Sequence, residues 1–90
     1  MRYFLKMFVA GHTPTSVRAI HNVKKLLEND LHGACDLQII DVLKNPQQAR
    51  DYEILATPTL IRMLPPPPKR VIGDLTNRRK VLLGLDLTTE

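Results

Sequence analysis

Few side chains in this 90-residue chain are of types that carry chemistry, and their spacing argues against most of it. There is one cysteine, Cys35, so no intramolecular disulfide is available, which suits a reducing compartment. A dithiol redox centre needs a thiolate at a helix start, where the dipole lowers the thiol pKa, and a second cysteine to resolve the mixed disulfide. The first strand-to-helix junction, Gly11-His12-Thr13-Pro14-Thr15-Ser16, holds no cysteine. Cys35 lies beyond that helix, where it reads as a small packing residue. His12, His21 and His32 have no metal-ligand spacing with one another. His21 falls on the polar side of a helix, and His32 precedes a helix-ending glycine, where a cation suits the dipole. His12 stands in the loop at the helix start, a place for a partner contact. Asp41 and Asp74 occupy strand and turn positions far apart in sequence, which gives no paired acid and base. There is no glycine-rich phosphate loop and no serine or cysteine nucleophile motif. No catalytic residue, metal site or cofactor site is expected.

The charge balance is +4, with a pI near 9.6. It favours an acidic partner, but the basic residues are scattered. Only Lys69-Arg70 and Asn77-Arg78-Arg79-Lys80 form a pair or a run. With two tyrosines, two phenylalanines and no tryptophan, base-stacking platforms are not expected, and neither is a nucleic-acid partner. The start, Met1 to Lys6, is interrupted by charge and reads as no signal peptide. No apolar run approaches the roughly 20 residues that span a bilayer. The expectation is a soluble, cytoplasmic protein of one domain, residues 1–90. Apolar content of 43% allows a compact core. At this size the margin of stability is on the order of 5 kcal/mol, so self-association would help.

The elements that position these residues follow from periodicity. Tyr3–Ala10 is nearly all apolar apart from Lys6 and reads as a central buried strand. Thr13 is then an N-cap with Pro14 at the first helical position. Val17, Ile20, Val23 and Leu27, supported by Leu26, predict the apolar face of a helix of about four turns that ends near Gly33. Leu37–Leu43 is a second strand, and two strands joined through one helix imply parallel pairing. Asn45 and Gln48 suggest a capping box for a short helix, Pro46–Tyr52. Pro65-Pro66-Pro67-Pro68 favours an extended connector, and as a docking tract it would need exposure. Lys69–Ile72 is a short strand closed by Gly73-Asp74, and the tail Thr76–Leu87 is the last element.

Two stretches read both ways. Around Thr57-Pro58-Thr59, proline suits a strand start or edge, and a cis Thr57–Pro58 bond is conceivable. Equally, Thr57 caps a helix with Pro58 at its first position and Leu60, Ile61 and Leu64 as its apolar face. As a strand start, this stretch resembles the cis-proline element of thioredoxin-like domains. The tail is a poor helix: Arg78, Arg79 and Lys80 crowd the positive end of its dipole, Asp86 lies near the negative end, and Gly84 costs about 1 kcal/mol against alanine. At period two, Val81, Leu83, Leu85 and Leu87 share one face. The order is β-α-β-α-β-β-α, the thioredoxin-like arrangement, unless both segments exchange roles.

From Tyr3 to Leu87 the sequence resembles the KaiB family of circadian clock proteins. The blocks that carry the likeness are Phe8-Val9-Ala10-Gly11, Ile40-Asp41-Val42-Leu43-Lys44-Asn45-Pro46, Ile54–Leu60, Leu64-Pro65-Pro66-Pro67, Ile72-Gly73-Asp74-Leu75 and Gly84-Leu85-Asp86-Leu87. The resemblance implies an α/β protein that switches folds: a resting tetramer of order β-α-β-β-α-α-β and a thioredoxin-like monomer. In the resting form the Pro58 stretch is helical and the tail a strand. It also implies a non-enzymatic regulator without cofactors whose thioredoxin-like form binds a KaiC-type ATPase ring. Further implied partners are a KaiA-like protein and an output histidine kinase with a KaiB-like domain. By position, Tyr3, Gly84 and Asp86 match places that bias the two forms, and Pro58 lies in the switching stretch. Arg18, Arg62, Lys69 and Arg70 match basic positions linked with partner binding. Gly84→Ala and Asp86→Arg are expected to favour the helical tail. His12, His21 and Cys35-Asp36 depart from the pattern common in the family, which suggests a divergent member. Such relatives work with a KaiC-like ATPase alone or in stress responses, the alternative reading here. For the isolated protein the resting tetramer is expected, because buried interfaces favour it by mass action.

Overall fold

The elements run β1 (Tyr3–Val9), α1 (Pro14–Leu31), β2 (Cys35–Asp41), α2 (Pro46–Asp51), β3 (Thr59–Leu64), β4 (Lys69–Ile72) and α3 (Arg78–Gly84) in a computed structural model that describes residues 2–73 and 75–87. This is the thioredoxin-like order. The resting arrangement expected for the isolated chain is not the one observed. The strands form one sheet in the order β2-β1-β3-β4. β1 and β2 are parallel, with Tyr3 opposite Cys35 and Val9 opposite Asp41. β3 runs antiparallel to β1 and to β4.

Two local conflicts are settled by tertiary context. The first concerns Pro58, which gives no N–H to a ladder and stands just ahead of β3, after a cis Thr57–Pro58 bond. The residues after it, Thr59, Leu60, Ile61 and Arg62, are all buried, because β3 lies between β1 and β4 and is covered on both faces. The second concerns the tail. As a helix it buries Val81, Leu82 and Leu85, with Leu87 following, and leaves Leu83 71% exposed. The period-two face is therefore replaced by a helical one. Asn77 caps it, its side chain accepting the Lys80 N–H at 3.0 Å. The crowded cations are relieved from outside the helix: Arg78 pairs with Asp30 of α1.

One face of the sheet carries the larger core, where Leu5, Met7, Val23, Leu60, Val81 and Leu85 are at most 1% exposed. On the other face Phe8, Ile40 and Ile61 pack with Tyr52 and Ile54. The Phe8 and Tyr52 rings are 5.5 Å apart, and the Lys6 ammonium lies 4.7 Å from the Tyr52 ring.

Several local expectations shift. The buried face of α1 is Ser16, Ala19, Val23, Leu26, Leu27 and Leu31, while Val17 is 54% exposed and Ile20 only partly buried. The close approach of its first turn to β1 favours small side chains there: the Ser16 Oγ donates to the Ala10 carbonyl at 3.3 Å. β2 begins two residues earlier than predicted and stops at Asp41. Asn45 makes no side-chain cap; its amide donates to the Asp41 carbonyl instead, at 3.1 Å. α2 ends at Asp51. The proline tract is a bend between β3 and β4 with cis Leu64–Pro65 and Pro66–Pro67 bonds, not an extended rod, and residues 66–68 are exposed. Gly73 takes φ +95° after β4, and Asp74 lies outside the described residues.

Candidate functional site

The register places the ends of β1 and β2 and the start of β3 at one edge of the molecule, since Val9 faces Asp41 and Phe8 faces Thr59. The first turn of α1 begins there. In open α/β sheets this end, beyond the carboxyl ends of parallel strands, is where ligands collect. A shallow groove of about 220 Å³ lies here, lined by Thr15, Arg18, Ala19, Pro58, Leu75 and Thr76. Two large apolar side chains stay exposed on the segments that begin or end here, Val17 at 54% and Leu43 at 71%, while Leu55, 94% exposed, borders a separate depression with Ala49, Arg50 and Glu53. Arg18, His12 and Lys44 are exposed on the segments of Val17 and Leu43. An apolar rim with cations suits a protein partner carrying acidic groups.

The loops around the groove are held by backbone-directed contacts. Thr13 caps α1, its Oγ1 accepting the Ser16 N–H at 3.1 Å. The Asp41 carboxylate accepts the Gly11 and Leu43 N–H groups, each at 3.0 Å. These bonds, Gly11 first, hold the Asp41 carboxyl below the usual carboxylate range. Gly11 has φ +70°, and a Cβ there would meet Leu43 Cδ1 at 3.3 Å, so its lack of a side chain allows the two loops to close.

Chemistry at this end is limited. Ser16 stands in the first turn of α1, but it is 6% exposed and its hydroxyl is committed to Ala10. Cys35 lies at the opposite end of the sheet, at the start of β2, where burial, followed by the Asp36 charge, pushes its thiol up to about 11. A thiol so protonated is a poor nucleophile. Among the described residues no three His, Cys, Asp or Glu side chains gather as metal ligands. No helix among them is long and apolar enough to cross a membrane.

The sequence-derived positions fall in separate places. Arg18 and Pro58 line the same groove. Arg62 and Lys69 are opposite one another across β3 and β4. Lys69 is exposed, but Arg62 is 5% exposed, with its Nη2 donating to the Pro67 carbonyl at 2.8 Å and its Nε buried without a partner. It supports the proline bend rather than presenting a charge. Arg70 donates to the Tyr52 carbonyl at 2.8 Å and the Glu53 carbonyl at 3.3 Å, which ties β4 to the end of α2. Tyr3 is buried in the larger core. Gly84 packs against β4, where an added Cβ would lie 2.5 Å from Val71 Cγ2, so the helical tail expected to gain from Gly84→Ala is instead opposed by a clash with a buried side chain. Asp86 follows α3 at φ +54°. Sequence reasoning missed Asp41 as the anchor of both loops; an aspartate at a strand end before a turn was the available signal. It also missed that Leu43, Leu55 and Val17 are left exposed.

The family model described as KaiB domain matches residues 6–87. The chain belongs to the KaiB family. The "Circadian clock oscillator protein KaiB" of Thermostichus vulcanus is 58% identical over 88 residues, 98% of this chain and 82% of that protein. The protein of the same name from Prochlorococcus marinus subsp. pastoris is 58% identical over 85 residues, 94% of this chain and 79% of that one. Among solved structures, the N-terminal domain of Synechococcus elongatus SasA superposes with a TM-score of 0.77 at 27% identity, over 92% of this KaiB-family chain and 80% of that one. Mitochondrial thioredoxin 3 of Saccharomyces cerevisiae gives 0.73 at 19% identity, over 93% and 76%, a likeness of fold alone.

Proposed function

We propose that this KaiB-family protein is a non-enzymatic, cytoplasmic regulator of one domain that docks on a KaiC-type ATPase ring and modulates its phosphorylation and timing cycle. The observation that carries the reading is the Pro58 groove. It has the place of a thioredoxin-type site but holds Arg18 and no thiol among the residues that line it. The thioredoxin-like form is the docking form. A resting tetramer, with the Pro58 stretch helical and the tail a strand, is its reservoir, and Tyr3, Pro58, Gly84 and Asp86 bias the balance. Arg18 contacts the ring; Lys69 and Arg70 form a separate basic patch on β4, next to the proline bend that Arg62 supports. A KaiA-like protein and a histidine kinase with a KaiB-like domain are the further partners, and the likeness to the SasA N-terminal domain supports a shared docking mode.

Gel filtration with the cognate KaiC-type ATPase and ATP tests this reading. A complex is expected for the wild type, a larger fraction bound for Asp86→Gly and loss of the complex for Arg18→Glu. No complex with either the wild type or Asp86→Gly would overturn it in favour of a KaiB-family stress-response protein without a KaiC partner.

A further inference from the structure

We propose that the Asp30–Arg78 ion pair is a latch that docks α3 on α1 and thereby fixes the Leu75–Thr76 wall of the Pro58 groove. Each member is misplaced in its own helix. Asp30 lies in the last turn of α1, where the dipole is negative, and Arg78 is the first residue of α3, where it is positive and where Arg79 and Lys80 follow. Each is well placed for the other helix. The Arg78 Nε donates to both Asp30 carboxylate oxygens at 2.9 Å, and Nη2 donates to Oδ1. Two local violations that cancel across 48 residues of sequence are the mark of a tertiary device. The Asp30 side chain is only 10% exposed while Arg78 is 62% exposed, so the carboxylate has exchanged most of its water for this one partner. The same pairing holds the Asp30 carboxyl below the usual carboxylate range.

The pair borders a cleft of about 240 Å³ between α1 and the approach to α3, and Leu75 and Thr76 line it. The same two residues line the Pro58 groove with Arg18. Leu75, 3% exposed, is part of the larger core, so this short segment is a partition between the two depressions. With the latch broken, α3 loses the anion that steadies its cationic start. The helix then opens ahead of the sheet, and the partition moves with it. The latch stands on the geometry alone; its consequence for docking rests on the groove being the ring-binding site.

Native-state amide exchange on the full chain, read by NMR, is the test. Asp30→Asn and Arg78→Gln are each expected to speed exchange at Val81, Leu82 and Leu85 about tenfold relative to Leu5 and Met7 of β1, and to shift the Gly73 and Thr76 amide resonances. Combining Asp30→Arg with Arg78→Asp should return the α3 rates to within about threefold of wild type. Wild-type α3 exchange in both single variants overturns the proposal, as does equal acceleration in α3 and β1, the signature of general destabilisation. A variant with an opened α3 that binds the ATPase ring at wild-type affinity would refute the groove as the docking site and leave the latch in place.

Discussion

Asp86 carries two penalties in this form. It takes φ +54° directly after α3, and its carboxylate lies at the negative end of that helix. The surrounding hydrogen bonds close the helix: Leu87 N–H donates to the Leu82 carbonyl at 2.9 Å and Asp86 N–H to the Leu83 carbonyl at 3.2 Å, a Schellman arrangement that prefers glycine at Asp86. Asp86→Gly should therefore raise stability by roughly 0.5–1 kcal/mol in urea unfolding; a loss of stability would count against the assigned cap. Gly84 is a more balanced case. Alanine gains about 1 kcal/mol of helix propensity but places a methyl against the buried, stiff Val71. Gly84→Ala alone should therefore gain nothing and is expected to lose stability, since overpacking costs about 1–3 kcal/mol. A double-mutant cycle with Val71→Ala should give a coupling of at least about 0.5 kcal/mol, and additivity would refute the contact. At Asp41 the sign of the pH effect follows from its lowered carboxyl. The stabilisation is complete above the unfolded-chain value and is lost as pH falls through the folded one. The stability gap between wild type and Asp41→Asn should be open at pH 7 and narrow as pH falls below about 4, measured by urea midpoints.

At the scale of elements, the caps divide the stability of the two longer-range helices. Thr13→Ala and Asn77→Ala should each cost about 1 kcal/mol in chemical denaturation, since each side chain takes a backbone N–H that nothing else is placed to accept. β1, α1, β2 and β4 were legible because propensity, periodicity and punctuation agree over their lengths. The buried face of α1 was not, because Val17 is apolar by type but Ser16 and Ala19 are small enough to approach β1. The tail reads as helix or strand from sequence because three successive cations oppose a helix start, an objection that Asp30, 48 residues away, removes. Arg62 was legible as a cation and not as a buried one: alternation fails in β3, which is covered on both faces.

At the scale of the molecule, one end gathers the helix start, the Pro58 turn and the exposed Val17 and Leu43, while Lys69 and Arg70 lie elsewhere. The order of elements was readable in the chain, as was the empty helix-start loop. The choice between the two packings was not, because it depends on a cap, an ion pair and core burial that exist only once α3 has docked. We propose that the form with a helical tail is the one a KaiC-type ring recognises. Ring affinity measured by titration calorimetry across wild type, Asp86→Gly and Asn77→Ala tests it most directly. Affinity should rise several-fold for Asp86→Gly and fall about fivefold for Asn77→Ala, in step with the stability of α3. Equal affinity for all three, with α3 stabilities shown to differ, would contradict it.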